Sequence, residues 1–184
     1  MPITEMLIRN AKMYPDEVSL IEREPATNSR REITWLEIDQ KANQFANALL
    51  ERGVKRGDRV AILMMNCLEW LPVYFGILKT GALAVPLNFR YTADEIKRCV
   101  DTAGAKMLVY GPEFVDRINE IKDNISGVGL FIFVGDDCPE HAEKFTDVLA
   151  GSPTTDPQIP ICDTDDAALY FTSGTTGVPK PILH

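Results

Sequence analysis

An α/β fold, with a layered, mostly parallel sheet carrying helices on both faces, is what these 184 residues predict. Three observations lead there. Four apolar runs, 60–63, 83–87, 107–110 and 130–134, recur at nearly even spacing with little polar alternation. Helical patterns lie in the gaps between them, two of the chain's helices being opened by capping boxes. A fifth apolar run, 167–171, leads into a stretch of glycines and hydroxyls. Strands that are apolar throughout and joined by helices suit a parallel sheet covered on both sides.

The elements follow in order. Residues 4–13 read as a helix, with Thr4 as N-cap, Met6, Leu7 and Ala11 sharing a face, and Pro15 and Asp16 ending it. A strand at 18–21 and the polar turn 24–31 predict a hairpin over 18–34 that closes with Ile33. Thr34 and Glu37 have capping-box spacing. The helix they open runs to about Arg52, with Ile38, Ala42, Phe45 and Leu49 on one stripe and Gly53 as its stop. Past Gly57-Asp58 the strand rhythm sets in. Helices are expected at 69–80, ended by Gly81, and at 93–103, opened by the second box, Thr92 to Glu95; a weaker pattern covers 112–122. The 69–80 helix is apolar almost all round and reads as buried. Residues 135–166 are rich in turn-formers and acids and read as a surface linker inside the domain, with one helical turn near 141–149. No internal sequence repeat is present.

Composition narrows the function. The 45% hydrophobic and 25% charged content is that of an ordinary soluble globular chain, long enough for one domain or part of one. A net charge of −8 argues against nucleic acid or an anionic membrane as partner. Cys67, Cys99, Cys138 and Cys162 are scattered with no Cys-x-x-Cys pair, so reduced thiols are expected and no zinc site. The first residues lack a basic region followed by an apolar run, so no signal peptide is expected, and the cytoplasm is the expected compartment. Glu69 and Lys79 interrupt the most apolar region, which excludes a membrane span there.

The chemistry concentrates at Tyr170-Phe171-Thr172-Ser173-Gly174-Thr175-Thr176-Gly177-Val178-Pro179-Lys180. Gly174 and Gly177 allow consecutive N–H groups to point at one anion, Ser173, Thr175 and Thr176 add hydroxyls, and Lys180 adds a charge. Each charge-assisted bond of this kind contributes about 1.5–3 kcal/mol. The Walker pattern is absent, because Val178 and Pro179 separate Gly177 from Lys180; Pro179 and Pro181 make 178–182 extended, giving strand, loop, strand. A Ser/Thr/Gly hairpin with no ligand has the same bare composition. Other tempting side chains read as structural. His141 and the acids Asp163, Asp165 and Asp166 read as solvated, Asn66 and Glu69 as helix caps, and Trp35, Trp70 and the aromatics at 74–75 as core.

In order, the string Thr-Ser-Gly-Thr-Thr-Gly-x-Pro-Lys resembles the phosphate-loop signature of the adenylate-forming superfamily, which holds the AMP-forming acyl-CoA synthetases, the adenylation domains of peptide synthetases and the luciferases. Ile33-Thr34-Trp35-Leu36-Glu37-Ile38 resembles the superfamily's first core motif, usually with Tyr for Trp35. Leu78-Lys79-Thr80-Gly81-Ala82, followed by Val85-Pro86-Leu87-Asn88, resembles its second, usually with Ala for Thr80. Order and separation match, so the resemblance covers essentially the whole chain and implies the N-terminal portion of the large AMP-binding domain. It further implies a carboxylic acid activated by ATP and Mg2+ as acyl-AMP, with pyrophosphate released and the acyl group passed to coenzyme A. Carried over by position, Thr172, Ser173, Gly174, Thr175, Thr176, Gly177 and Lys180 grip the ATP phosphates. Pro181 stands where the family usually has Gly. The catalytic lysine, the metal-binding acid and the adenine and carboxylate pockets are expected downstream of His184, so residues 1–184 alone are expected to be inactive. Pro86-Leu87-Asn88 looks more like the ligases than the amino-acid adenylation domains, which stay open as an alternative beside a standalone non-catalytic α/β module. A homo-oligomer is left open too.

Overall fold

The computed structural model describes residues 1–125, 127–172 and 179–184. Helix α1 (Ile3–Met13) is followed by the antiparallel hairpin β1 (Val18–Glu24) and β2 (Ser29–Thr34), then helix α2 (Trp35–Glu51). The strands β3 (Arg59–Leu63), β4 (Leu83–Pro86), β5 (Met107–Tyr110), β6 (Leu130–Phe133) and β7 (Glu143–Lys144) alternate with α3 (Trp70–Lys79), α4 (Ala93–Ala103) and α5 (Val115–Ile121). Helix α6 (Phe145–Leu149) follows β7, and the chain then runs to β8 (Leu169–Thr172) and β9 (Lys180–Leu183). Five strands form one sheet in the order β4-β3-β5-β6-β7, every pair parallel. The expected α/β class and the four strand runs are borne out.

Alternation along β3 explains the layering. Val60 and Ile62 face one side with Phe45, Leu49, Val73 and Ile77 of α2 and α3, while Ala61 and Leu63 face the other with Ile96, Val100 and Ile118 of α4 and α5. All are buried, so this strand reads as a continuous apolar run rather than an alternating one. Helices α2 and α3 approach closely at Gly76, where an added Cβ would lie 2.8 Å from Phe45 Cδ1 and 3.0 Å from the Ala42 carbonyl. Both capping boxes form. Thr34 Oγ1 accepts from the Glu37 N–H at 3.2 Å and Glu37 returns to the Thr34 N–H at 2.8 Å; Thr92 and Glu95 do the same.

Four local expectations are corrected. Helix α1 opens one residue early, behind Pro2, and Thr4 is buried within its first turn instead of capping it. Strand β1 runs on to Glu24, because Glu22 finds Arg31 across the hairpin and accepts the Leu68 N–H, and the turn tightens at Asn28 with φ +53. Trp35, Trp70, Tyr74 and Phe75 are only half-buried, packed on the margins of the core; Trp70 and Tyr74 stack with ring centres 5.3 Å apart. His141 is not solvated. Its ring stacks on Tyr110, meets Phe131 edge-on, and its Nε2 lies 3.0 Å from the Tyr110 hydroxyl.

Candidate functional site

Strands β8 and β9 pair antiparallel in the register Leu169↔Leu183, Tyr170↔Ile182, Phe171↔Pro181 and Thr172↔Lys180. The two strands expected to flank the loop are therefore present, and Thr172 and Lys180 face one another at the open end. Pro181 sits in β9, a two-stranded hairpin edge where the missing N–H is tolerated. Ser173, Gly174, Thr175, Thr176 and Gly177, the remaining residues of the predicted loop, lie outside the described residues. Thr172 and Lys180 are exposed, and Lys180 has no ion pair among the described residues. An exposed ammonium opposite a hydroxyl fits an anionic phosphate. Among the described residues no group of three or more His, Cys, Asp or Glu side chains comes together.

The hairpin is docked on the sheet through its backbone and through two side chains. The Ala84 N–H of β4 donates to the Ala167 carbonyl at 3.1 Å, and Ala84 and Ala168 form a parallel bridge. The His184 N–H donates to the Ala168 carbonyl at 2.8 Å and closes the other end of the hairpin. Leu169 and Phe171 point toward the core layer under α4 and α5, while Tyr170 and Thr172 point outward. The Tyr170 hydroxyl lies 3.2 Å from that of Tyr74 on α3. Burial, then the bond to Tyr170, raises the Tyr74 pKa well above the ordinary tyrosine range, so the Tyr74 hydroxyl enters this link neutral.

Several polar residues near the hairpin differ from their sequence reading. Glu69 stands at the N-cap position of α3 but makes no side-chain cap bond; its carboxylate receives Arg31 at 3.0 Å and ties β2 to that helix. Asp165 is held by the Cys162 N–H at 2.8 Å and by Arg56 at 2.6 Å, which keep its carboxyl below the usual range. Asp163 is exposed, as its sequence reading has it, and pairs with the terminal ammonium of Met1 at 2.6 Å. Sequence reasoning noted Lys79 as a charge in an apolar stretch and as part of the second motif, but gave it no partners. It is 3% exposed and its ammonium donates to Asp39 Oδ1 at 2.8 Å, Asn43 Oδ1 at 2.7 Å and Asp156 Oδ2 at 3.1 Å, satisfying all three donors. The signal was present: a lone lysine at the end of an otherwise apolar helix calls for buried partners.

A separate cleft of about 660 Å³ lies past the carboxyl ends of β3, β5 and β6; Met64, Gly111, Val134, Glu22, Glu69 and Glu113 are among the residues that line it. Neither Thr172 nor Lys180 lines it.

A family profile described as AMP-binding enzyme matches residues 7–184. The long-chain-fatty-acid–CoA ligase FadD13 of Mycobacterium tuberculosis (strain ATCC 25618 / H37Rv) is 32% identical over 180 residues, 97% of this chain and 34% of the relative. The crotonobetaine/carnitine–CoA ligase of Salmonella typhimurium is 31% identical over 177 residues, 94% of this chain and 34% of the relative. Among solved structures, the anthranilate CoA ligase AuaEII in complex with anthranoyl-AMP superposes with a TM-score of 0.91 at 30% identity, over 100% of this chain and 34% of that one. A Mycobacterium tuberculosis fatty acyl CoA synthetase gives 0.83 at 29% identity, over 99% and 34%. The fold is that of the N-terminal region of adenylate-forming enzymes. The chain belongs to the AMP-binding enzyme family. It spans about a third of the length of the relatives it matches.

Proposed function

We propose that the chain is the N-terminal part of an AMP-forming acyl-CoA ligase and that Thr172 to Lys180 bind the phosphates of ATP. The observation that carries this reading is the Thr172↔Lys180 pairing at the open end of a hairpin docked on β4, in a chain of this family. It puts a hydroxyl and a cation at the two roots of the glycine- and hydroxyl-rich loop. In the complete protein the reaction is attack of a carboxylate on the α-phosphate of Mg·ATP, followed by transfer of the acyl group to coenzyme A. Residues 172–180 hold the departing pyrophosphate in line and balance its developing charge, a contribution of positioning and electrostatics.

Relatives named as long-chain-fatty-acid and crotonobetaine/carnitine ligases support a carboxylic acid substrate, with fatty acid metabolism as its setting. An amino-acid adenylation domain is the second reading; Pro86-Leu87-Asn88 favours the ligase over it. We place the protein in the cytoplasm; no helix of the described residues is long and apolar enough to cross a membrane. Residues 135–166 act as a connection inside one domain, and residues 1–184 alone do not turn over. Lys180→Ala in the complete protein is the test. Loss of one charge-assisted contact slows ATP–pyrophosphate exchange roughly ten- to a hundredfold, about 1.5–3 kcal/mol. An unchanged rate removes Lys180 from the phosphates.

A further inference from the structure

Helix α3 and the turn after it carry Leu78-Lys79-Thr80-Gly81-Ala82, a motif to which the phosphate reading gives no task. We infer that Lys79 and Gly81 in this motif are positioning elements for the β8–β9 hairpin, acting through the segment 152–166 that enters it. The inference rests on the phosphate reading for its consequence in catalysis, and on geometry alone for the anchoring.

The segment is gripped along its length. Three amide side chains of α2 take successive backbone carbonyls: Gln44 donates to Ser152 at 3.4 Å, Asn47 to Pro153 and Thr155 at 3.0 Å each, and Asn43 to Thr154 at 2.9 Å. The next residue, Asp156, receives the Lys79 ammonium, which is already fixed between Asp39 and Asn43. Further on, Arg56 donates to the Pro160 carbonyl and to Asp165. From Asp165 the chain is two residues from Ala167, the first attachment to β4.

Gly81 makes the second anchor. Its φ is +77, and an added Cβ would lie 3.3 Å from the Arg56 guanidinium carbon, so the absence of a side chain lets Arg56 lie across the turn. The Gly81 carbonyl accepts the Gly57 N–H at 2.9 Å, which fixes the backbone next to Arg56. Thr80 locks the turn, its hydroxyl donating to Ile77 at 2.7 Å and accepting from the Ala82 N–H at 3.2 Å. Beyond the turn the chain enters β4, whose Ala84 bonds to the segment's far end. One motif thus holds the middle of the segment through Lys79, its later part through Arg56, and leads into the strand on which the hairpin docks.

Two variants test this, Lys79→Met and Asp156→Ala, the second sparing the buried lysine's other partners in case the first folds poorly. Ile118→Ala, a core truncation under the opposite sheet face, is the control for general destabilisation. Hydrogen exchange on residues 1–184 is expected to show β8 and β9 amides opening about tenfold faster in both variants while β3 and β5 stay protected. In the complete protein ATP–pyrophosphate exchange slows by about tenfold through misplacement of the loop. Hairpin exchange that only follows the Ile118→Ala pattern overturns the anchoring. Loosened hairpin amides with an unchanged pyrophosphate rate overturn the positioning role, provided Lys180→Ala slows that same assay. If Lys180→Ala has no effect there, the phosphate reading falls instead, and the hydrogen-exchange result alone upholds the anchoring.

Discussion

Strands β3 and β8 are similar in length and differ in almost everything that holds them. Four of the five residues of β3 are buried, and it is bonded on both sides, by β4 and β5. None of the four residues of β8 is fully buried; it is located by its pairing with β9, by the bridge of Ala168 just before it to β4, by one hydroxyl contact to α3, and by Leu169 and Phe171 resting half-buried on the core. The first strand is stabilised by two-sided apolar burial, at roughly 25 cal/mol per Å². The second combines one-sided, partial apolar burial of Leu169 and Phe171 with directional polar contacts, each worth about 1 kcal/mol net. The region that must be rigid and the region proposed to meet substrate are thus built from different balances of forces, so mutations can address them separately.

The largest effect is expected in the layer under α2. Phe45→Ala removes a fully buried ring that packs on Phe145 at 5.4 Å and lies against Gly76, and it should cost about 3–5 kcal/mol in urea unfolding. A cost under about 1 kcal/mol would mean that the layer repacks freely and that the contrast with β8 is overstated. Gly76→Ala comes next. The new methyl meets Phe45 and the Ala42 carbonyl, and overpacking of this kind costs about 1–3 kcal/mol. Neutral or improved stability would show that α2 and α3 can move apart without loss.

The smallest effect is a pH dependence at the sheet's edge. Burial, aided by Lys122 and opposed by Asp123, holds the His141 imidazole below its ordinary 6.5. The folded state therefore favours the neutral ring. Its contribution is complete above the unfolded value and is lost as pH falls through the folded one. Between pH 8 and pH 5 the wild type should lose more Tm than His141→Phe, which keeps the stack on Tyr110 but does not titrate. Equal losses would mean that this histidine does not contribute to the acid limb.

Local signals were legible where the cause was local. Both capping boxes could be read because donor and acceptor lie three residues apart, and β3 to β6 because two-sided burial leaves an uninterrupted apolar run. The hairpin was legible because prolines at 179 and 181 keep that stretch extended. Glu69, Asp165 and His141 were misread because their partners lie 38, 109 and 31 residues away, beyond any periodicity. Asn43 and Asn47 gave no signal, since nothing in helical spacing tells water from a backbone laid across that face. Within the proposed site, Lys180 was read from its charge and Thr172 from the resemblance to the family's loop, whereas Lys79 meets distant acids and gave only the hint of a charge in an apolar helix.

The grip of α2 on residues 152–155 has a consequence for how this protein tolerates change. Gln44, Asn43 and Asn47 take main-chain carbonyls, which every amino acid carries, so the identities of the four residues they hold are free to drift. Their number is not. One residue inserted or removed between Ser152 and Asp156 would put the next carboxylate out of step with Lys79, so this stretch should vary in spelling among descendants while keeping its length.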